Sequence, residues 1–123
     1  MQIRQPGKET GVRAEDIARR HLEQRGLKTR TKNYRCRLGE IDLIMEEGNT
    51  LVFVEVRYRR STDFGSAAES VNRLKQRKLI KTAEHYLNNS ALPEPPCRFD
   101  VLAISGRNLE NVIWIKDAFQ QTF

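Results

Sequence analysis

The sequence predicts an α/β domain built on a mixed five-stranded sheet, from three observations. Apolar residues recur at helical spacing near the start and again past the middle of the chain. Two β-rich runs, 39–45 and 50–58, flank Glu46-Glu47-Gly48-Asn49, whose Gly/Asn pair suits a tight turn. Two further apolar runs, 97–104 and 111–116, follow the second helical stretch. The order is therefore helix, three strands, helix, two strands, and 123 residues suffice for one such core.

Residues 1–10 are polar and Pro6-Gly7 marks a break, so a flexible N-terminal segment is expected ahead of a single domain over 11–123. Ala14, Ile17, Ala18, His21 and Leu22 form one stripe of a helix over 11–25, which Gly26 ends. Glu15 lies at the margin of that stripe and can point along the sheet; a surface ion pair would satisfy it equally. Residues 27–34, rich in Lys, Arg and Thr, read as an edge strand. In the central hairpin, period-two alternation puts Glu40, Asp42 and Ile44 on one side and Ile41, Leu43 and Met45 on the other. It likewise separates Val52, Val54, Val56 and Tyr58 from Leu51, Phe53, Glu55 and Arg57. Residues 59–65 form a polar loop containing Phe64-Gly65, a folded lid or a hydrophobic anchor. A helical region over 67–88 buries Val71, Leu74, Leu79, Ile80, Ala83, Tyr86 and Leu87, with low propensity at Ser70-Val71-Asn72. From Asp117 a short tail is expected to cap the core with Phe119 and Phe123.

Composition narrows the function classes. No stretch approaches the roughly 20 apolar residues of a membrane span and the first residues lack a signal-peptide core, which predicts a cytoplasmic protein with no membrane partner. Cys36 and Cys97 have no C-x-x-C spacing, and His21 and His85 stand apart, so neither a disulfide framework nor a zinc site is indicated. Gly-rich phosphate loops and G-x-S-x-G elbows are absent. Twenty-two Lys and Arg against sixteen Asp and Glu give a formal charge of +6, which favours a polyanionic partner such as nucleic acid. The excess is local. Arg30, Lys32, Arg35 and Arg37 lead into the hairpin, Arg57, Arg59 and Arg60 leave it, and Arg73, Lys75, Arg77, Lys78 and Lys81 crowd the second helix. Solvated helix faces also carry such charge; here two of the runs flank acid-bearing strands directly.

Those acids are Asp42 and Glu55, each interrupting an apolar strand. Carboxylates on paired strands come close enough to share a cation, since opposed Cβ atoms lie about 4.5–5.5 Å apart. A Mg²⁺ ion held by one or two carboxylates, with water and phosphate oxygens, would relieve their repulsion. A structural ion pair between Glu55 and Arg57 accounts for the same pattern without a cation. Asp100, amid Phe99, Val101 and Leu102, reads as a structural hydrogen-bonding group.

Gly39-Glu40-Ile41-Asp42-Leu43-Ile44, Val52-Phe53-Val54-Glu55-Val56-Arg57, Phe64-Gly65, Lys75 and Arg98-Phe99-Asp100-Val101 together resemble the YraN-like uncharacterised bacterial family. That family is similar to archaeal Holliday-junction resolvases and the restriction-endonuclease-like superfamily. The resemblance implies a restriction-endonuclease-like three-layer fold and a Mg²⁺- or Mn²⁺-dependent endonuclease acting on DNA, including branched DNA in recombination or repair. It implies that Asp42 and Glu55 are metal ligands, that Glu15 is the accessory first-helix glutamate, and that Arg57 occupies the position of the signature lysine. Arginine keeps its charge, so it can stabilise phosphate but not take up a proton. Lys75, Arg59, Arg60, Arg73 and Lys78 would then hold the nucleic-acid backbone. The loss of the lysine equally fits a non-catalytic nucleic-acid-binding protein with a degenerate site, and a partner-binding role is the third reading. Two-fold substrates suit a homodimer, although the sequence names no self-complementary apolar patch.

Overall fold

The computed structural model describes residues 6–59, 71–91 and 93–120, with side chains from residue 11 onward. Its elements run α1 (Pro6–Glu23), β1 (Lys28–Cys36), β2 (Gly39–Glu47), β3 (Thr50–Arg59), α2 (Arg73–Asn88), β4 (Cys97–Ser105) and β5 (Asn111–Phe119). The five strands lie in the order β1-β2-β3-β4-β5, with β3 and β4 parallel and every other pair antiparallel. The sheet is therefore mixed, and β1 is an edge, as its composition predicts.

Each helix covers one face of the sheet. Ala14, Ala18 and Leu22 of α1 are buried with Leu43, Met45, Val52, Val54, Leu102 and Ile104. Small residues at two turns of that stripe let the helix lie close to the strands. Leu79, Ile80 and Ala83 of α2 are buried on the other side with Ile41, Ile44, Leu51, Phe53, Phe99 and Val101. Leu74 does not join them and is 62 % exposed. At about 100° per residue it sits roughly 140° around the helix from Leu79, which takes it to the solvent side.

Helix α1 begins at Pro6 rather than near residue 11. Proline has no N–H to lose in a first turn and its fixed φ suits helix entry, so Pro6-Gly7 starts the helix instead of breaking it. Residues 1–5 lie outside the described residues. The other end matches expectation: Gly26 adopts φ +97°, Leu27 N–H bonds the Leu22 carbonyl at 3.1 Å, and Gly26 N–H bonds that of Glu23 at 3.1 Å. Those two bonds make a Schellman cap. Helix α2 starts after Asn72, whose side chain accepts from the Lys75 N–H, so the low-propensity stretch supplies the cap. Strand β5 continues through Asp117 to Phe119 instead of ending at Lys116. Asp117 takes φ +52° where the β4 pairing shifts register, and Phe119 stacks on Phe99 at 4.9 Å. Phe64-Gly65 and Phe123 lie outside the described residues.

The β2–β3 hairpin turns through Gly48 and Asn49, with Glu47 paired to Thr50 and the last backbone pair at Leu43 and Val54. Beyond that pair the hairpin bends. Ile41 joins Ile44 on the α2 face while Leu43 and Met45 face α1, so simple alternation fails between Ile41 and Leu43. Strand β1 bends at the same level, with Asn33 at φ +52° between the pairs Lys32–Leu43 and Tyr34–Ile41. Asparagine tolerates this left-handed conformation better than most side chains. The bend carries Gly39 under α2, where a Cβ would sit 2.8 Å from Thr82 Oγ1. Only glycine fits that approach.

Candidate metal centre

Extending the hairpin register one step past Leu43–Val54 sets Asp42 opposite Glu55. No backbone pair forms there. The Asp42 carboxylate turns into the gap and its Oδ2 accepts from the Val56 N–H at 2.8 Å. Glu55, on the α2 face and 5 % exposed, is hydrogen-bonded to Asp42 carboxyl to carboxyl. Such a contact requires a proton between the two acids.

The electrostatics favour keeping that proton. Burial first and then the Asp42 charge push the Glu55 carboxyl up to about 7, against which Lys75 and Arg57 pull only partway. Asp42 is also raised, chiefly by burial, with the Val56 N–H and the Glu55 hydrogen bond opposing. The proton therefore belongs to the pair rather than to either acid alone. Two cations converge on one oxygen of Glu55: Lys75 Nζ at 3.4 Å, from the first turn of α2, and Arg57 Nη1 at 3.6 Å, from the same strand. Both distances exceed the roughly 2.7–2.9 Å of a strong charge-assisted hydrogen bond. The centre is thus two carboxyls sharing a proton beneath two cations that stand 3.4 and 3.6 Å from Glu55.

Glu15 approaches from α1. Its carboxyl is raised by burial and then by the Asp42 charge, while an Asn33 side-chain hydrogen bond lowers it. It lines a cleft of about 140 Å³ with Val12, Asp16, Arg19, Lys32, Asn33 and Leu43. The structure therefore brings together Asp42, Glu55, Arg57 and Lys75 and sets Glu15 within electrostatic reach. Among the described residues no three His, Cys, Asp or Glu side chains form a ready-made metal cluster. Arg59, Arg73 and Lys78 are exposed, at the end of β3 and along the outer face of α2. Arg60 lies outside the described residues.

Sequence reasoning missed two contributors. Asn33 shapes the bend and bonds Glu15, and its only signal was an asparagine in mid-strand. Asn72 anchors the turn that delivers Lys75, signalled by an Asx residue just before a helical pattern.

Asp100 differs from this centre in every partner. Its oxygens accept from Arg98 Nε at 3.0 and 3.2 Å, Arg98 Nη2 at 3.2 Å, Trp114 Nε1 at 2.8 Å and the Asp117 N–H at 2.9 Å. It is the structural hydrogen-bonding group the sequence suggests.

No helix among the described residues is long and apolar enough to cross a membrane. Residues 14–104, which carry Asp42, Glu55, Arg57 and Lys75, match the model of uncharacterised protein family UPF0102. A UPF0102 protein of Saccharophagus degradans is 53 % identical over 112 residues, covering 90 % of this chain and 92 % of the relative. The UPF0102 protein YraN of Escherichia coli is 54 % identical over 114 residues, covering 91 % and 85 %. One from Nitrosococcus oceani is 48 % identical over 115 residues, covering 92 % and 93 %. With the family model spanning most of the chain and relatives near half identity over nine-tenths of it, this chain belongs to the UPF0102 family.

Proposed function

We propose that this protein is a divalent-cation-dependent endonuclease of restriction-endonuclease-like fold that hydrolyses phosphodiester bonds in DNA. The observation that carries the reading is the Asp42–Glu55 pair: two acids from neighbouring strands, forced to share a proton in a basic setting. An amide or an apolar residue at either position would remove the repulsion, so two acids there call for a charge to balance them.

The donor set fits Mg²⁺ or Mn²⁺. These hard cations need one or two carboxylates and complete their octahedra with water and phosphate oxygens. When bound, such a cation supplies Lewis-acid polarisation and a lowered pKa for water. The remaining work falls to this chain's residues. Asp42, pinned by the Val56 N–H, would offer one ligand oxygen, and Glu55, its proton released to solvent, would offer the other. Arg57 keeps its charge at every working pH and neutralises the phosphate undergoing attack. Glu15 stands to one side as an accessory carboxylate. Arg59, Arg73, Lys75 and Lys78 present positive charge to the DNA backbone.

The test compares cleavage of duplex, single-stranded and four-way DNA with and without Mg²⁺ or Mn²⁺. Asp42→Asn and Glu55→Gln are each expected to lower the rate at least about 100-fold, as loss of a positioned charge-stabilising group does. Activity that survives both substitutions overturns the assignment. The presence of Arg57 rather than lysine favours a second reading, a DNA-binding protein without turnover. It predicts binding that weakens steeply with salt and needs no cation.

A further inference from the structure

We propose that Lys75 is the cation's placeholder: its ammonium stands over the proton-sharing Asp42–Glu55 pair in the free protein and passes to the phosphodiester when Glu55, its proton released to solvent, takes up a divalent ion. This inference rests on the metal-dependent reading above.

The geometry separates the two cations on Glu55 Oε2. Arg57 rises from the same strand two residues away and its side chain is 26 % exposed. Lys75 reaches across from α2, and its side chain is 37 % exposed. With Glu55 only 5 % exposed, Lys75 lies on the solvent side of the carboxylate it touches. Its root is fixed because its own N–H is held by Asn72 Oδ1 at 3.0 Å, in a first turn that contains no acidic residue. Beyond that anchor the stem has four flexible carbons and ends in a compact charge with three donors. At 3.4 Å the contact is longer than a strong charge-assisted hydrogen bond, which leaves the ammonium open to exchange.

Charge then drives an exchange. An ammonium and a divalent ion cannot share one oxygen without strong repulsion. Glu55 therefore trades one for the other, and Lys75 turns to the nearest anion the reaction provides, a phosphate oxygen. Cation and DNA then bind cooperatively, each making room for the other. A lysine that only decorated the outer face of α2 would add affinity for DNA but no such coupling.

The experiment measures Mn²⁺ binding to the full chain by electron paramagnetic resonance, with and without a DNA duplex bearing a non-hydrolysable phosphorothiolate. Wild type is expected to bind Mn²⁺ roughly five- to tenfold more tightly when DNA is present, a typical coupling. In Lys75→Gln, Mn²⁺ binds more tightly without DNA and the coupling falls to about one; Lys75→Arg restores part of it. Lys81→Gln, which removes an exposed cation further along α2, keeps the coupling. In the unsubstituted protein, Mg²⁺ without DNA shifts the Lys75 ammonium resonance in a side-chain NMR spectrum. Equal coupling in wild type and Lys75→Gln, or an unmoved resonance with Mg²⁺ bound, overturns the exchange. Mn²⁺ binding that is absent, or unchanged by Asp42→Asn, overturns the metal-dependent reading itself.

Discussion

Two buried acids lie one register step apart on neighbouring strands, and the sheet treats them in opposite ways. Val54 pairs with Asp100 and Glu55 with Val101, so the acids sit on adjoining levels of β3 and β4 but face opposite sides of the sheet. Asp100 is surrounded by N–H donors at 2.8–3.2 Å, and Arg98 extends the network to Glu47 at 2.5 Å. Glu55 meets another acid, and its two cations stand off at 3.4 and 3.6 Å. Similar burial thus hides different chemistry. One site uses its acid to join β2, β4 and β5; the other leaves its acid in need of a charge it does not hold tightly.

The contrast predicts effects of opposite sign. Asp100→Ala leaves Trp114 Nε1 and the Asp117 N–H without their acceptor and Arg98 with Glu47 alone, and breaking a buried pair in this way costs about 3–5 kcal/mol. Urea denaturation at pH 7 measures it, and a loss under about 1 kcal/mol would mean water repairs the gap. Glu55→Gln should instead stabilise the protein at pH 8. Burial pushes the folded carboxyl up to about 7 from its ordinary 4.5, so between those values the folded chain holds a proton that the unfolded chain has already lost. Its contribution is therefore most favourable below pH 4.5 and declines as pH rises through 7. At about 1.4 kcal/mol per unit the ceiling is roughly 3 kcal/mol, and the expected gain from the amide is about 1–3 kcal/mol. Melting curves at pH 5 and pH 8 check it: wild type loses stability between them relative to Glu55→Gln. If both substitutions destabilise alike at pH 8, both acids are structural and the metal centre loses its support.

The sequence made one half of this comparison easier to read than the other. A two-residue turn at Gly48-Asn49 pairs Glu47 with Thr50, and counting back from there sets Asp42 against Glu55. Asp100 in an apolar run needed donors, and Arg98 and Trp114 supplied them. The bend was not legible, because a period of two carries no information about where a strand turns aside. Ile41 changes face for that reason, through the left-handed Asn33 on the neighbouring strand. Leu74 was misplaced because apolar character alone does not fix a helix face. The contact between Lys75 and Glu55 joins segments separated by a connection, so no local pattern could show it. Pro6 read as a break and Asp117 as the start of a tail, yet the first starts a helix and the second sits at a register shift within a strand.

The smallest expected effect tests whether Lys75 is delivered to Glu55 or merely reaches it. Asn72 holds the Lys75 N–H from outside the helix, and an N-cap of this type replaced by alanine costs about 1 kcal/mol. Asn72→Ala should therefore lower stability by that amount with the sheet unchanged. If the cap also sets the path of the lysine side chain, loosening it weakens a charge that holds Glu55 down, and the Glu55 titration moves further up. Carboxyl ¹³C NMR across pH 5 to 9 reads that movement directly. A loss of stability with an unmoved titration would show that the flexible stem finds Glu55 without the cap, leaving the backbone of α2 no part in assembling the centre.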